Sequence, residues 1–136
     1  MLICERKIWT PDNCYLLEYK ERCEAGEFII GSELWLELRN LAEDLENDRY
    51  IYDRETALLR MDFMEHCVRL TKSPYYNQPM VLMLWQKAFI EAAYSFKMAQ
   101  ESRDAGFWID RFQKILLLIA RKNTKTETCS GLALAE

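Results

Sequence analysis

The chain has a single histidine, His66, and no Cys-x-x-Cys pair. A zinc site needs closely spaced Cys or His ligands, so that class of site is excluded. The cysteines, Cys4, Cys14, Cys23, Cys67 and Cys129, are odd in number and widely spaced. This pattern fits free, partly buried thiols in an intracellular protein better than a disulfide framework. Long apolar runs are also missing. Ile115 to Ala120 is far short of the about 20 residues a membrane helix needs. The start, Met1-Leu-Ile-Cys-Glu-Arg-Lys, carries charge where a secretory peptide would carry its apolar stretch. Neither an internal repeat nor a low-complexity tract is visible. His66 falls within a helical stretch and reads as a structural side chain.

What is present has the balance of a soluble globular protein, 50% apolar and 29% charged. At 136 residues it has room for one domain with a core, or for one domain and the start of another. The net charge of −4 is unevenly placed. Glu21 to Glu55 holds eleven acidic residues against four arginines, which reads as a solvated helical face. Arg111 to Lys125 holds five basic residues and no acid, which makes it a candidate anion site as well as a generic basic surface.

Four helices precede any strand signal. Thr10-Pro11 predicts a helix start, with Thr10 as N-cap and Pro11 at the first helical position. That helix runs to about Glu24 and stops before Gly26, and Phe28 to Ile30 follow as an extended link. Ser32 is the predicted cap of a second helix, in which Leu34, Leu38, Leu41 and Leu45 share a face with Trp35 and Ala42. Asp53 caps a third, to about Thr71, with Ala57, Met61, Met64 and Val68 inward. Ser73 to Pro79 is a loop on proline grounds. A fourth helix is predicted from about Val81 to Gln100, ending near Asp104 to Gly106. The pattern then changes. Phe112 to Ala120 predicts a strand buried on both faces, as in a parallel sheet. A basic loop follows, then a helix from about Glu127.

A buried strand, a loop and a helix N-terminus together make a phosphate cradle. In a P-loop, or Walker A motif, a lysine reaches the β and γ phosphates and the next Ser or Thr ligates magnesium. Here Lys125 takes the lysine's catalytic place and Thr126 is the magnesium ligand. The two expected glycines are absent, with Ile119 and Thr124 in their positions. The alternative reading of the same residues is a basic turn with Lys122 and Lys125 solvated.

From Arg111 to Glu136 the chain resembles the front of the ATPase core in phage terminase large subunits, the motors that package viral DNA. Arg121, Asn123, Lys125 and Thr126 match that family's loop, and Thr124 departs from it where glycine is expected. Upstream, Gly26 to Ile30 with the Leu-rich helix and Asp44-Leu45-Glu46 is similar to the family's leader. So are Tyr50-Ile51-Tyr52-Asp53, Phe63-Met64-Glu65, and Leu84 to Ile90, which contains Trp85-Gln86.

The resemblance implies a mostly α chain, with a helical leader followed by the first strand, P-loop and helix of a truncated α/β P-loop NTPase core. The boundary falls after residue 106, giving a leader over 1–106 and the start of the ATPase domain over 107–136. ATP and Mg2+ are the implied cofactors. The implied nucleotide contacts are Trp85, Gln86, Arg121, Lys122, Asn123, Thr124, Lys125, Thr126 and Glu127, with Gln86 reading the adenine edge, for which an amide has both a donor and an acceptor. Viral double-stranded DNA, the small terminase subunit and the portal are the implied partners, in the cytoplasm of a host cell. The acidic second strand end and the nuclease domain lie beyond the loop in that family, so no turnover is expected from this chain alone. Two other readings stay open, a non-enzymatic helical interaction module and a piece of another P-loop ATPase.

Overall fold

The computed structural model describes residues 8–69, 77–116 and 125–135. In chain order the elements are α1 (Tyr15–Glu24), α2 (Ser32–Asp44), β1 (Tyr50–Tyr52), α3 (Arg54–Cys67), α4 (Leu84–Ser95), β2 (Phe96–Met98), α5 (Ala99–Ala105) and α6 (Lys125–Ala135). The architecture is mostly helical around one small antiparallel sheet.

The first helix begins later than Thr10-Pro11 predicts. The Asn13 N–H donates to the Thr10 carbonyl at 3.1 Å, and Asn13 Oδ1 accepts from the Thr10 N–H at 2.8 Å. These bonds close a turn, and proline's fixed φ suits the second position of a turn as well as the first of a helix. Cys14 is therefore the N-cap of α1. At the other end Gly26 has φ +82°. The N–H of Gly26 bonds to the Cys23 carbonyl, and that of Glu27 to the Arg22 carbonyl. This pair of bonds is the Schellman closure, which needs a left-handed residue. A Cβ on Gly26 would meet nothing within 4 Å, so Gly26→Ala is opposed by backbone conformation alone. Denaturant unfolding of that variant should show a loss of about 1–2 kcal/mol. An unchanged midpoint would mean the left-handed cap contributes nothing.

In α2, Leu38 and Leu41 are buried as the leucine spacing predicts, while Leu34 is exposed. Gly31 rather than Ser32 is the N-cap. In α3 Ala57, Met61 and Met64 face inward as predicted, and Val68 is buried too but lies just past the helix in extended backbone. Asp53 is its N-cap, and the helix ends at Cys67.

The fourth predicted helix is broken. α4 stops at Ser95, and Phe96–Met98 form a strand paired antiparallel with β1, with Tyr50 opposite Met98 and Tyr52 opposite Phe96. No proline or glycine marks the break. Tertiary pairing overrides local helix propensity, because the extended backbone gains a ladder on both sides. On the second side the Met98 N–H donates to the Ile109 carbonyl (2.8 Å) and the Arg111 N–H to the Phe96 carbonyl (3.0 Å). The segment after Gly106 is thus stitched onto the preceding elements through β2.

Two apolar clusters meet at α4. One gathers Cys14, Leu16, Leu38, Leu41, Tyr52, Ala92 and Phe96. The other gathers Ala57, Met61, Met64, Val68, Met80, Leu82 and Ile90. α4 packs on α1 and α3, α2 packs on α1, and α6 closes over α3. With neighbours on several sides, α4 buries its polar residues too. Both Gln86 and Glu91 lie inside.

Candidate functional site

The loop predicted to hold phosphate is partly outside the described residues. Ile119 and Arg121, Lys122, Asn123 and Thr124 fall there. Lys125, Thr126 and Glu127 open α6. At an α-helix N-terminus the first backbone N–H groups have no intrahelical partner, and the dipole favours an anion.

The strand predicted before the loop differs in its described part. Residues 112–116 form no strand. Leu116 is 86% exposed and Ile115 is 43% exposed, not buried on both faces. Pairing along β2 ends at Arg111, because β2 is three residues long and its ladder is already filled. Residues 117–120 lie outside the described set.

Arg111 is removed from the candidate anion surface. Its guanidinium meets Asp44 at 2.8 Å and lies over the Tyr50 ring at 4.0 Å, with Phe112 and Phe96 at 4.9 and 5.1 Å. An arginine in an aromatic box, facing a carboxylate, acts as a latch. It holds the run toward the loop against β1 and β2.

α6 is rooted by one stripe. Thr128 is fully buried, and Gly131 lies against α3. A Cβ on Gly131 would sit 2.9 Å from Met64 Cε, so the absence of a side chain permits this approach. Leu132 packs on the same cluster as Met64.

Trp85 and Gln86, adjacent in the predicted adenine-side segment, serve different sides of α4. Trp85 is half-buried and lines a cavity of about 620 Å³ with Leu34, Leu38, Phe89, Phe112 and Leu116. Gln86 is 2% exposed. Its Oε1 accepts from the Met83 N–H at 2.8 Å, and its Nε2 donates to Thr128 Oγ1 at 3.0 Å. A glutamine in sequence is more often read as a surface residue, and here it joins α4 to α6 through the interior.

A second buried polar centre has no counterpart in the sequence reading. Glu91 is fully buried. Its carboxylate accepts from the Tyr52 hydroxyl (2.5 Å), the Cys14 thiol (2.9 Å), the Tyr15 N–H (3.1 Å) and Arg54 Nε (3.1 Å). Burial, reinforced by the Glu91 charge, pushes the Cys14 thiol from 9.0 up to about 12. Burial likewise holds the Tyr52 hydroxyl well above its ordinary value. Both groups therefore stay protonated and act as donors, and Cys14 is no nucleophile. The one signal in the sequence was an acid set among Ala88, Phe89, Ile90, Ala92 and Ala93.

Tyr50-Ile51-Tyr52-Asp53 forms β1 and its exit. Asp53 Oδ2 accepts from Thr56 Oγ1 at 3.1 Å, which commits that carboxylate to the start of α3. His66 is exposed on α3, with Nδ1 at 2.8 Å from the Asp62 carbonyl. Cys14, Cys23, Cys67 and Cys129 are free thiols, as their spacing predicts. Among the described residues no group of three His, Cys, Asp or Glu side chains is arranged to hold a metal ion, and no helix is long and apolar enough to cross a membrane.

Comparison with protein-family models, with curated proteins and with solved structures gives no match.

Proposed function

We propose that this chain binds ATP with Mg2+ at the turn leading into α6 and forms the front of a DNA-packaging motor of the terminase large-subunit type. The observation that carries the reading is the buried hydrogen bond from Gln86 to Thr128. It brings the Trp85-Gln86 segment against the first turns of the helix that Lys125 opens. These are the two stretches an ATP site of this type requires side by side, and they are distant in sequence.

Within the site each residue has a distinct task. The Lys125 ammonium neutralises the β and γ phosphate oxygens as a point charge. The Thr126 hydroxyl is the protein ligand for Mg2+, a hard cation that keeps most of its water shell and takes few protein oxygens. The N-terminal N–H groups of α6 bind phosphate oxygen, with Arg121, Lys122, Asn123 and Thr124 preceding the helix in the proposed site and Glu127 in its first turn. Mg2+ held at Thr126 would supply positive charge that offsets the charge of the phosphates. Double-stranded viral DNA, the small terminase subunit and the portal are the partners of such a motor.

Hydrolysis needs an acid at a second strand end and a carboxylate to orient water, and Asp53, the acid that follows β1, is engaged with Thr56 at the start of α3.

Equilibrium titration of the purified chain should detect MgATP, with affinity falling on chelation of Mg2+ and in Thr126→Val. Binding that neither chelation nor Thr126→Val changes would contradict the assignment of Thr126.

A further inference from the structure

We infer that Gln86 and Thr128 are a positioning pair, which fixes α6 to the leader and serves nucleotide binding by holding the Lys125 end rather than by Gln86 touching the base. The second half of this inference rests on the proposed ATP reading. The first half stands on the fold alone.

To read a base edge, an amide must turn its carbonyl and its NH2 toward the ligand. Here the carbonyl oxygen is directed to the Met83 N–H and the NH2 to Thr128. The first bond decides which way round the amide lies, since a backbone N–H requires an acceptor. It is also the back-bond from the third helical position to the N-cap N–H that begins many helices. Turning Gln86 outward would break that cap and take the amide away from the fully buried Thr128 hydroxyl, and giving up these two bonds costs free energy.

The pair is also well placed to control α6. Thr128 lies three residues after Lys125, and Gly131 three residues after Thr128, so these positions follow one side of the helix. Gly131 sets the distance to α3 through its contact with Met64. The side-chain bond from Gln86 fixes the same rotation and register from the α4 side. A copy of α6 turned by one residue would put Ser130 or Leu132 beside Met64, where a Cβ does not fit, and would also lose the amide–hydroxyl bond.

Two measurements test this on the intact chain. In nucleotide-free protein, hydrogen exchange of the 129–134 amides should be about five- to tenfold faster in Thr128→Val than in wild type, with α1 amides as the internal reference, since loss of one buried bond of about 1–1.5 kcal/mol corresponds to a change of that size. Thr128→Ser, which keeps the hydroxyl, should stay close to wild type. Unchanged α6 exchange in Thr128→Val would overturn the pair. Titration of MgATP, MgGTP and magnesium tripolyphosphate against Gln86→Ala should then show all three weakened by a common factor. Loss confined to MgATP, with tripolyphosphate unaffected, would overturn the positioning role and make Gln86 a base reader. Failure of all three probes to bind the wild-type chain would sink the ATP reading and the second half of the inference with it. The exchange result would still decide the first half.

Discussion

Glu91→Ala should lower the unfolding free energy by about 3–5 kcal/mol, the range for removing one partner of a buried ion pair. The size comes from what is left behind. The Tyr52 hydroxyl, the Cys14 thiol, the Tyr15 N–H and Arg54 Nε all lose the same acceptor. Tyr52 and Cys14 are buried, and water cannot replace Glu91 without opening the cluster that contains Leu16, Leu38 and Phe96. Arg54 is 19% exposed and recovers some hydration, which keeps the effect from exceeding that range. Glu91→Gln, of nearly the same shape, should also lose heavily, because its NH2 would face donors. Chemical denaturation of the three proteins side by side measures this. A shift under about 1 kcal/mol in Glu91→Ala would show that the cluster tolerates the loss by rearranging.

The same centre gives the fold an alkaline limit. Cys14 is raised to about 12 from 9.0, so between those values the unfolded chain has lost a proton that the folded chain keeps. Stability therefore falls as pH rises above about 9 and on through 12, and is unaffected by this group below that window.

The parts of this fold that were legible in sequence are those decided by neighbours on one helix. Ala57, Met61 and Met64 declare the inner face of α3 by spacing alone, and all three are buried. Leu38 and Leu41 do the same for α2. Gly26 marks the end of α1 because only a left-handed residue closes that cap without strain. What sequence did not reveal depends on distant partners. Phe96 to Met98 have helical company on both sides, and they become a strand only because β1 and residues 109–111 lie on either edge. Thr10-Pro11 gives one local signal for two structures, and the Asn13 side chain selects the turn.

The site divides in the same way. The helix predicted from about Glu127 is present as α6 and begins two residues earlier, at Lys125, while the basic loop predicted before it lies outside the described residues. The run of leucines before it suggested a buried strand, but exposure at Ile115 and Leu116 removes that description from residues 112–116. Periodicity reports that a residue is apolar, not that a neighbouring strand is available to cover it. Gln86 and Glu91 illustrate the converse. Gln86 was expected at an adenine edge and Glu91 drew no reading, while the partners that hold them inside lie 42 residues away for one end of Gln86 and up to 77 away for Glu91. Buried polar groups are set by such pairings, which composition does not encode.

The largest functional effect should follow from Lys125→Ala, and its comparison with Lys122→Ala tests the central claim most directly. An ammonium on the β and γ phosphates makes charge-assisted contacts of about 1.5–3 kcal/mol, equivalent to a ten- to hundredfold loss of affinity or more. No backbone N–H supplies a mobile full charge at that place, so Lys125→Ala should bring MgATP binding below detection in a weak binder. Lys122, two positions before Thr124, has no phosphate assigned to it. A solvated lysine changes affinity only through the screened field of the turn. MgATP titration of wild type, Lys122→Ala and Lys125→Ala at one ionic strength should therefore give binding, slightly weakened binding and no binding, in that order. Equal, small losses in the two variants would contradict the P-loop reading and leave a solvated basic turn ahead of α6.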